Sequence, residues 1–197
     1  ESNAKWTLIN IIEYIENLHL FSDNPTTMED LVQVGKASLI NLRGVQQELQ
    51  EIVVYKILKD LFLERKKGNI PPFFLVLEEA HTFIPERNFG EAKSSSIIRQ
   101  IFSEGRKFGL SVCLISQRPS RVDKSALAMA TTQIVLKITN PNDVRAVTNS
   151  MEGITLETEK EIKNLSVGSA LLSGVLDAPI FVSIRPRRSK HGGSSVS

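Results

Sequence analysis

The 197 residues are 41% hydrophobic and 23% charged, which excludes a disordered or low-complexity chain and supplies enough apolar material for one globular domain. Lys and Arg number 24 against 22 Asp and Glu, a formal charge of +2, so a uniformly basic nucleic-acid binder is excluded and any basic surface must be local. The single cysteine excludes an internal disulfide framework, and no apolar stretch approaches the roughly 18 residues of a membrane span.

The N-terminal ESNAKWTLIN lacks the basic-then-apolar order of a signal peptide, and Cys113 sits in apolar SVCLIS as a packed thiol. These features predict a soluble, cytoplasmic protein with no membrane partner. The chain begins with Glu, not Met, and is read as a piece of something longer. Along it, residues 5–20, KWTLINIIEYIENLHL, repeat apolar side chains at helical spacing until SDNP stops the pattern. In TTMEDLVQVGK, Thr27 followed three residues on by Asp30 is the cap signal of a second short helix. ASLINL (37–42) is expected as a strand. Between Val45 and Gly68, Leu49, Ile52, Val53, Ile57 and Leu61 recur at three and four, predicting a long amphipathic helix. Its Lys/Arg-rich end suits the helix dipole, and Gly68 closes it.

FFLVL (73–77) reads as a strand buried on both faces, PERNFGEAKSSS (85–96) as a polar loop, and SIIRQIFSEGRKF (96–108) as a helix. SVCLIS and QIVLKI are two further apolar strands separated by a short helix around KSALAMA. PNDVRAVTNSM and ETEKEIKNL read as helices, and SALLSG with PIFVSI as a terminal hairpin or strand pair. Strands alternate with helices, and nearly unbroken apolar strands imply burial on both faces. The expected fold class is therefore α/β, a mostly parallel sheet flanked by helices.

In such sheets ligands sit beyond the carboxyl ends of the strands, where Glu78 and Glu79 fall. Successive strand side chains point to opposite faces, so two adjacent carboxylates need separate roles. One can hold a metal-bound water while its neighbour polarises an attacking water, as in phosphoryl-transfer ATPases.

LVLEEAH (75–81) resembles the Walker B strand of the HerA–FtsK family of hexameric P-loop ATPases, and its archaeal HerA branch is the most similar. Three further blocks agree in order and spacing: SEGRKFGLSVCLISQRPS (103–120), ITNPNDVRAV (138–147) and LSVGSALLSG (165–174). The resemblance implies a RecA-like P-loop NTPase core over residues 37–186, incomplete on its N-terminal side, with a helical segment at 1–36 and a flexible basic tail at 187–197. It also implies ATP and Mg2+ as cofactors. Glu78 takes the position that binds a magnesium-ligated water, and Glu79 that of the catalytic glutamate orienting the attacking water. Gln117 takes the position of the polar sensor of the γ-phosphate, and Arg106 that of the arginine supplied to a neighbouring subunit's nucleotide. Arg99, seven residues before Arg106, is expected on nearly the same helix face, either supporting Arg106 or binding phosphate itself. The implied function is a ring-forming, ATP-driven translocase or helicase on double-stranded DNA. A hexamer of itself and a NurA-like nuclease in end resection are the implied partners.

The phosphate-cradling G-x-x-x-x-G-K-[ST] sequence is absent. VGKAS (34–38) lacks the upstream glycine and places Ala37 where a hydroxyl residue should follow Lys36, so it is rejected as that loop. The chain is expected to start downstream of it and to be inactive alone. Two competing readings stand beside the motor: an interaction module carrying idle ATPase motifs, and a related ATPase of conjugation or secretion. Asp143 and Arg145 read equally as subunit contacts or as a cap and a solvated helix charge. Arg87 and Lys93 face a DNA channel on one reading and belong to an ordinary surface loop on the other, which is slightly preferred. Arg185, Arg187, Arg188 and Lys190 form the densest basic cluster, and short basic tails are usually solvated. His81 reads as a hydrogen-bonded structural residue outside catalysis, and His19, His81 and His191 are too scattered for a zinc site.

Overall fold

The computed structural model describes residues 2–17 and 24–189, so Lys190, His19 and His191, with most of the expected tail, lie outside the described residues. The chain divides into two compact units. The first comprises Glu1–Val76 and Ala92–Cys113, the second Leu77–Glu91 and Leu114–Ser197.

In the first unit, helix α1 (Ser2–Asn17) bears out the N-terminal helical pattern, with Trp6, Leu8, Ile11 and Ile12 exposed. Helix α2 (Met28–Leu31) starts with the expected cap: Thr27 Oγ1 accepts from the Asp30 backbone N–H, and Asp30 Oδ2 accepts from the Thr27 backbone N–H. The helix stops after one turn. Residues 36–42 have no regular structure, so the strand expected at ASLINL is absent. Leu39 and Ile40 there are 95% and 49% exposed, and an apolar run without a neighbouring strand to pair with gains no ladder. VGKAS opens in a turn that no helix follows, which agrees with its rejection.

Helix α3 (Gln47–Lys67) is the long helix expected, but its buried face is Val54, Leu58, Leu61 and Phe62; of the apolar residues named from the sequence only Leu61 is buried, and Ile52 is 50% exposed. Each such burial contributes on the order of 1.5–3 kcal/mol. Gly68 at φ 83° caps it, its N–H bonding back to the last turn. The helix packs against α5 (Ser95–Glu104), which buries Ile97, Ile98 and Ile101. A 3-10 turn, Gly105–Phe108, succeeds α5 and is held by Arg65. That guanidinium donates from Nε to Phe108 O and from Nη1 to Ile70 O, both at 2.6 Å. Phe62 and Phe108 meet edge to face with centroids 5.9 Å apart.

Strands β1 (Phe73–Leu77) and β2 (Leu110–Leu114) form a two-stranded sheet with α5 as the crossover between them. Ile115 donates its N–H to Leu77 O and accepts from Ala80 N–H, each at 2.9 Å. One residue bonded to two flanking positions of its neighbour is the parallel pattern. β1 is not buried on both faces as expected: Phe74 and Val76 are 64% and 48% exposed, while Leu77 is buried. The strand has one paired neighbour and one open face.

In the second unit, β1 leads into helix α4 (Ala80–Phe83), and β2 into a loop, a 3-10 turn at Pro119–Arg121, and helix α6 (Lys124–Met129). Strand β3 (Gln133–Val135) pairs antiparallel with β4 (Ser169–Ser173), which pairs antiparallel with β5 (Ile180–Ser183). Helices α7 (Pro141–Thr148) and α8 (Leu156–Asn164) pack together, and Val135, Val144, Val147, Ile162 and Leu171 form a buried cluster. The expected β4–β5 pair is borne out. The expected mostly parallel sheet is not: among the described strands parallel pairing is confined to β1–β2. An apolar run reports burial, and strand direction depends on the connection, which between β4 and β5 is too short for a parallel crossover. No helix among the described residues is long and apolar enough to cross a membrane.

Candidate active site

Glu78 and Glu79 occupy a turn immediately after β1, both exposed. Glu79 has φ 49° and ψ 46°, and it is the one non-glycine residue of positive φ among those described. For an L-residue this left-handed conformation costs roughly 1–2 kcal/mol. It swings the chain from β1 into α4, whose Ala80 and Phe83 are buried and anchor the turn from inside. The bonds of Ile115 to Leu77 and Ala80 then hold residues 79–81 beside residues 115–117.

Three side chains converge there. Gln117 Nε2 donates to Glu79 Oε1 at 3.3 Å. His81 Nδ1 stands 3.3 Å from Glu79 Oε2, and it is hydrogen-bonded with Ser116 Oγ at 3.1 Å. Ser116 Oγ also accepts the Arg118 backbone N–H at 3.0 Å, closing the turn after β2. The Glu79 side chain is 51% exposed and that of His81 20%, so a solvent-facing carboxylate rests on a half-buried imidazole. His81, set aside in the sequence reading, thus lies against the glutamate. The signal available was its place two residues after Glu79, but a contact at that spacing exists only because the backbone turns left-handed at Glu79.

The other residues singled out in the sequence are distributed as follows. Arg106 is exposed on the 3-10 turn of the first unit. Because α5 ends at Glu104 and a 3-10 turn carries the chain on through Arg106, the expected single α-helix from Arg99 to Arg106 is a helix followed by a tighter turn. Arg99 is half-buried. Asp143, at the start of α7, is 8% exposed and accepts from Ser120 twice, so it is engaged within its own chain, whereas Arg145 is exposed. The loop 85–96 is more structured than expected. Pro85 bridges Val122, residues 87–89 form a 3-10 turn, and Ser94 and Ser95 are fully buried. Arg87 and Lys93 are exposed, and the Lys93 backbone N–H donates to Glu51 Oε2. A cleft of about 450 Å³ in the second unit is lined by Phe89, Arg118, Ser120, Arg121, Asn140, Asn142 and Asp143, and Glu79 is not among its walls.

No group of three or more metal-ligating side chains occurs among the described residues. Mg2+ bound with a phosphate ligand keeps several waters and needs only one or two protein carboxylates. Exposed Glu78 offers such a carboxylate.

A family model described as Zonular occludens toxin (Zot) matches residues 26–142, more than half of the chain. The chain belongs to the Zot family. The resemblance to HerA–FtsK ATPases is borne out with it. The DNA double-strand break repair helicase HerA of Pyrococcus furiosus is 34% identical to this Zot-family chain over 197 aligned residues, 82% of the chain and 35% of the helicase. The chain spans between 34% and 39% of the length of the curated relatives it matches. Its fold is similar to that of the genome packaging NTPase of Sulfolobus turreted icosahedral virus 2, solved with ATPγS, at TM-score 0.61 and 19% identity over 84% of this chain and 75% of that one. VirB4 of Thermoanaerobacter pseudethanolicus superposes at TM-score 0.58 and 17% identity over 75% of the Zot-family chain and 40% of its own. The expected α/β, RecA-like P-loop NTPase fold is thereby borne out.

Proposed function

We propose that this chain is the C-terminal part of the ATPase core of a motor subunit that assembles as a six-membered ring, hydrolyses ATP between subunits and moves double-stranded DNA. The observation that carries the reading is the contact of Gln117 with Glu79 at 3.3 Å, at the carboxyl ends of two parallel strands. Glu79, half-exposed and held by a donor, is suited to orient an attacking water; Gln117 beside it is suited to feel the γ-phosphate. Glu78, next in line and exposed, would hold magnesium through a water. When bound, magnesium neutralises charge on the phosphate oxygens. Arg106 would act in trans, which its exposure permits. That the similar Pyrococcus furiosus protein is a helicase of DNA double-strand break repair supports DNA as the substrate; end resection beside a NurA-like nuclease, in the cytoplasm, is the setting we infer for this chain. Arg87 and Lys93 are the candidate DNA contacts.

The chain contains no G-x-x-x-x-G-K-[ST] sequence, so this stretch by itself is expected to turn over no ATP. The test uses the complete gene product. E79Q is expected to bind ATP as the wild type does while turnover falls by about 10² or more, the usual loss when a positioned base is removed. Turnover that survives E79Q overturns the reading. Hydrolysis unaffected by double-stranded DNA points to the related secretion-type pump instead.

A further inference from the structure

We propose that His81 is a positioning residue for Glu79, holding one carboxylate oxygen against the positive N–H edge of its imidazole while Ser116 Oγ fixes the ring through Nδ1. The proposal rests on the reading that Glu79 orients the attacking water, and adds to it the device that holds Glu79 still. The geometry begins with hydrogens. Nδ1 lies 3.3 Å from Glu79 Oε2 and 3.1 Å from Ser116 Oγ. An ionised carboxylate only accepts, so a bare Nδ1 would set its lone pair against another at that distance. A proton on Nδ1 removes the repulsion: its hydrogen is directed at Ser116 Oγ, and the positive N–H edge also faces Glu79 Oε2. The tautomer assigned to His81 is therefore the one with hydrogen on Nδ1.

The opposite oxygen, Oε1, takes its hydrogen bond from Gln117 Nε2. Glu79 is thus approached at both oxygens by residues that follow β1 and β2, and the two segments are themselves locked by the bonds of Ile115 to Leu77 and Ala80. A half-exposed glutamate left alone would sample many rotamers, a freedom of about 1.5–2 kcal/mol. A carboxylate that must aim a water gains from losing it beforehand, because misplacement by about 1 Å can cost 10² in rate. The left-handed backbone of Glu79 brings His81 round to the same side, so strain and clamp belong to one arrangement.

The experiment compares H81L, H81N and S116A in the complete gene product with E79Q as the reference. H81L is expected to lower kcat by roughly tenfold or more, with KM for ATP and nucleotide affinity within about twofold, as for an interaction that matters only when water attacks. H81N, whose amide nitrogen can occupy the place of Nδ1, is expected to recover most of that kcat, and S116A to lose less than H81L. In an E79Q background, H81L should cause no further loss. Long-range proton–nitrogen NMR should show hydrogen on Nδ1 of His81. If E79Q abolishes turnover while H81L keeps full kcat, the positioning role fails and the site reading stands. If E79Q keeps turnover, the site reading fails and the role of His81 with it. Equal losses in H81L and H81N, or a dominant Nε2–H tautomer, also overturn the proposal.

Discussion

Asp143 Oδ1 accepts two hydrogen bonds from a single residue, Ser120, whose backbone N–H lies at 3.0 Å and whose hydroxyl lies at 2.6 Å. Ser120 follows Gln117 by three residues, so the first turn of α7 holds the loop that carries Gln117. The carboxylate is buried, and its loss would leave the Ser120 N–H without its acceptor. D143A is therefore expected to destabilise the fold by about 1–3 kcal/mol, and D143N, which retains an oxygen at the same place, by less. Urea denaturation of the two variants checks the order; an equal loss in both would remove Ser120 from the account.

Glu79 separates backbone from side chain in a second measurement. Both E79A and E79G delete the carboxylate, but only glycine is at ease at φ 49°. E79G is expected to exceed E79A in stability by about 1 kcal/mol, opposite to the ordering of the two residues inside a helix. Neither is expected to support turnover in the complete gene product. Alanine equal to or better than glycine in thermal unfolding would show that the left-handed turn carries no strain.

Glu104 supplies a pH dependence. A hydrogen bond from Lys66, and a second from Gln100, hold its carboxyl below the ordinary value of 4.5, and Lys66 Nζ also lies over the Phe62 ring at 4.2 Å. A depressed folded value means that the unfolded chain binds the proton more readily. The pair's contribution is then complete above the ordinary value and is lost as the pH falls through the lower folded one. E104Q should differ from wild type by a constant amount from pH 7 down to about 5, and the difference should shrink below that; the group is exposed, so the effect is small. A difference that grows on acidification would reverse the assignment.

Arg106 offers a test of action between subunits. It is exposed, on a turn whose carbonyl at Phe108 is gripped by Arg65. In the complete gene product, R106A is expected to lose roughly 10³ or more of turnover, the scale of an arginine finger, with the fold retained. Mixing it with a variant defective in phosphate binding should restore hydrolysis at mixed junctions. Rings that form but recover nothing in any mixture would end the case for action in trans.

Much of this was legible locally. The capping box of Thr27 and Asp30, the helical span of α3 and its closure at Gly68 involve only residues within a few turns of one another, and all are present. Where the sequence reading failed, a local pattern stood in for a distant partner. ASLINL has strand composition and no strand to pair with; QIVLKI is apolar but β3 runs antiparallel to β4.

By itself the sequence determined where the helices and most strands lie and that two carboxylates end the first apolar strand, because periodicity, caps and turn residues act over short stretches of chain. The tertiary structure alone decided which side chains Glu79 meets. Gln117 is 38 residues away, and it reaches the carboxylate because Ile115 pairs with Leu77 and Ala80. His81 is near in sequence, yet its contact depends on the backbone adopting a left-handed turn that glutamate does not favour and that the buried Ala80 and the paired strands impose.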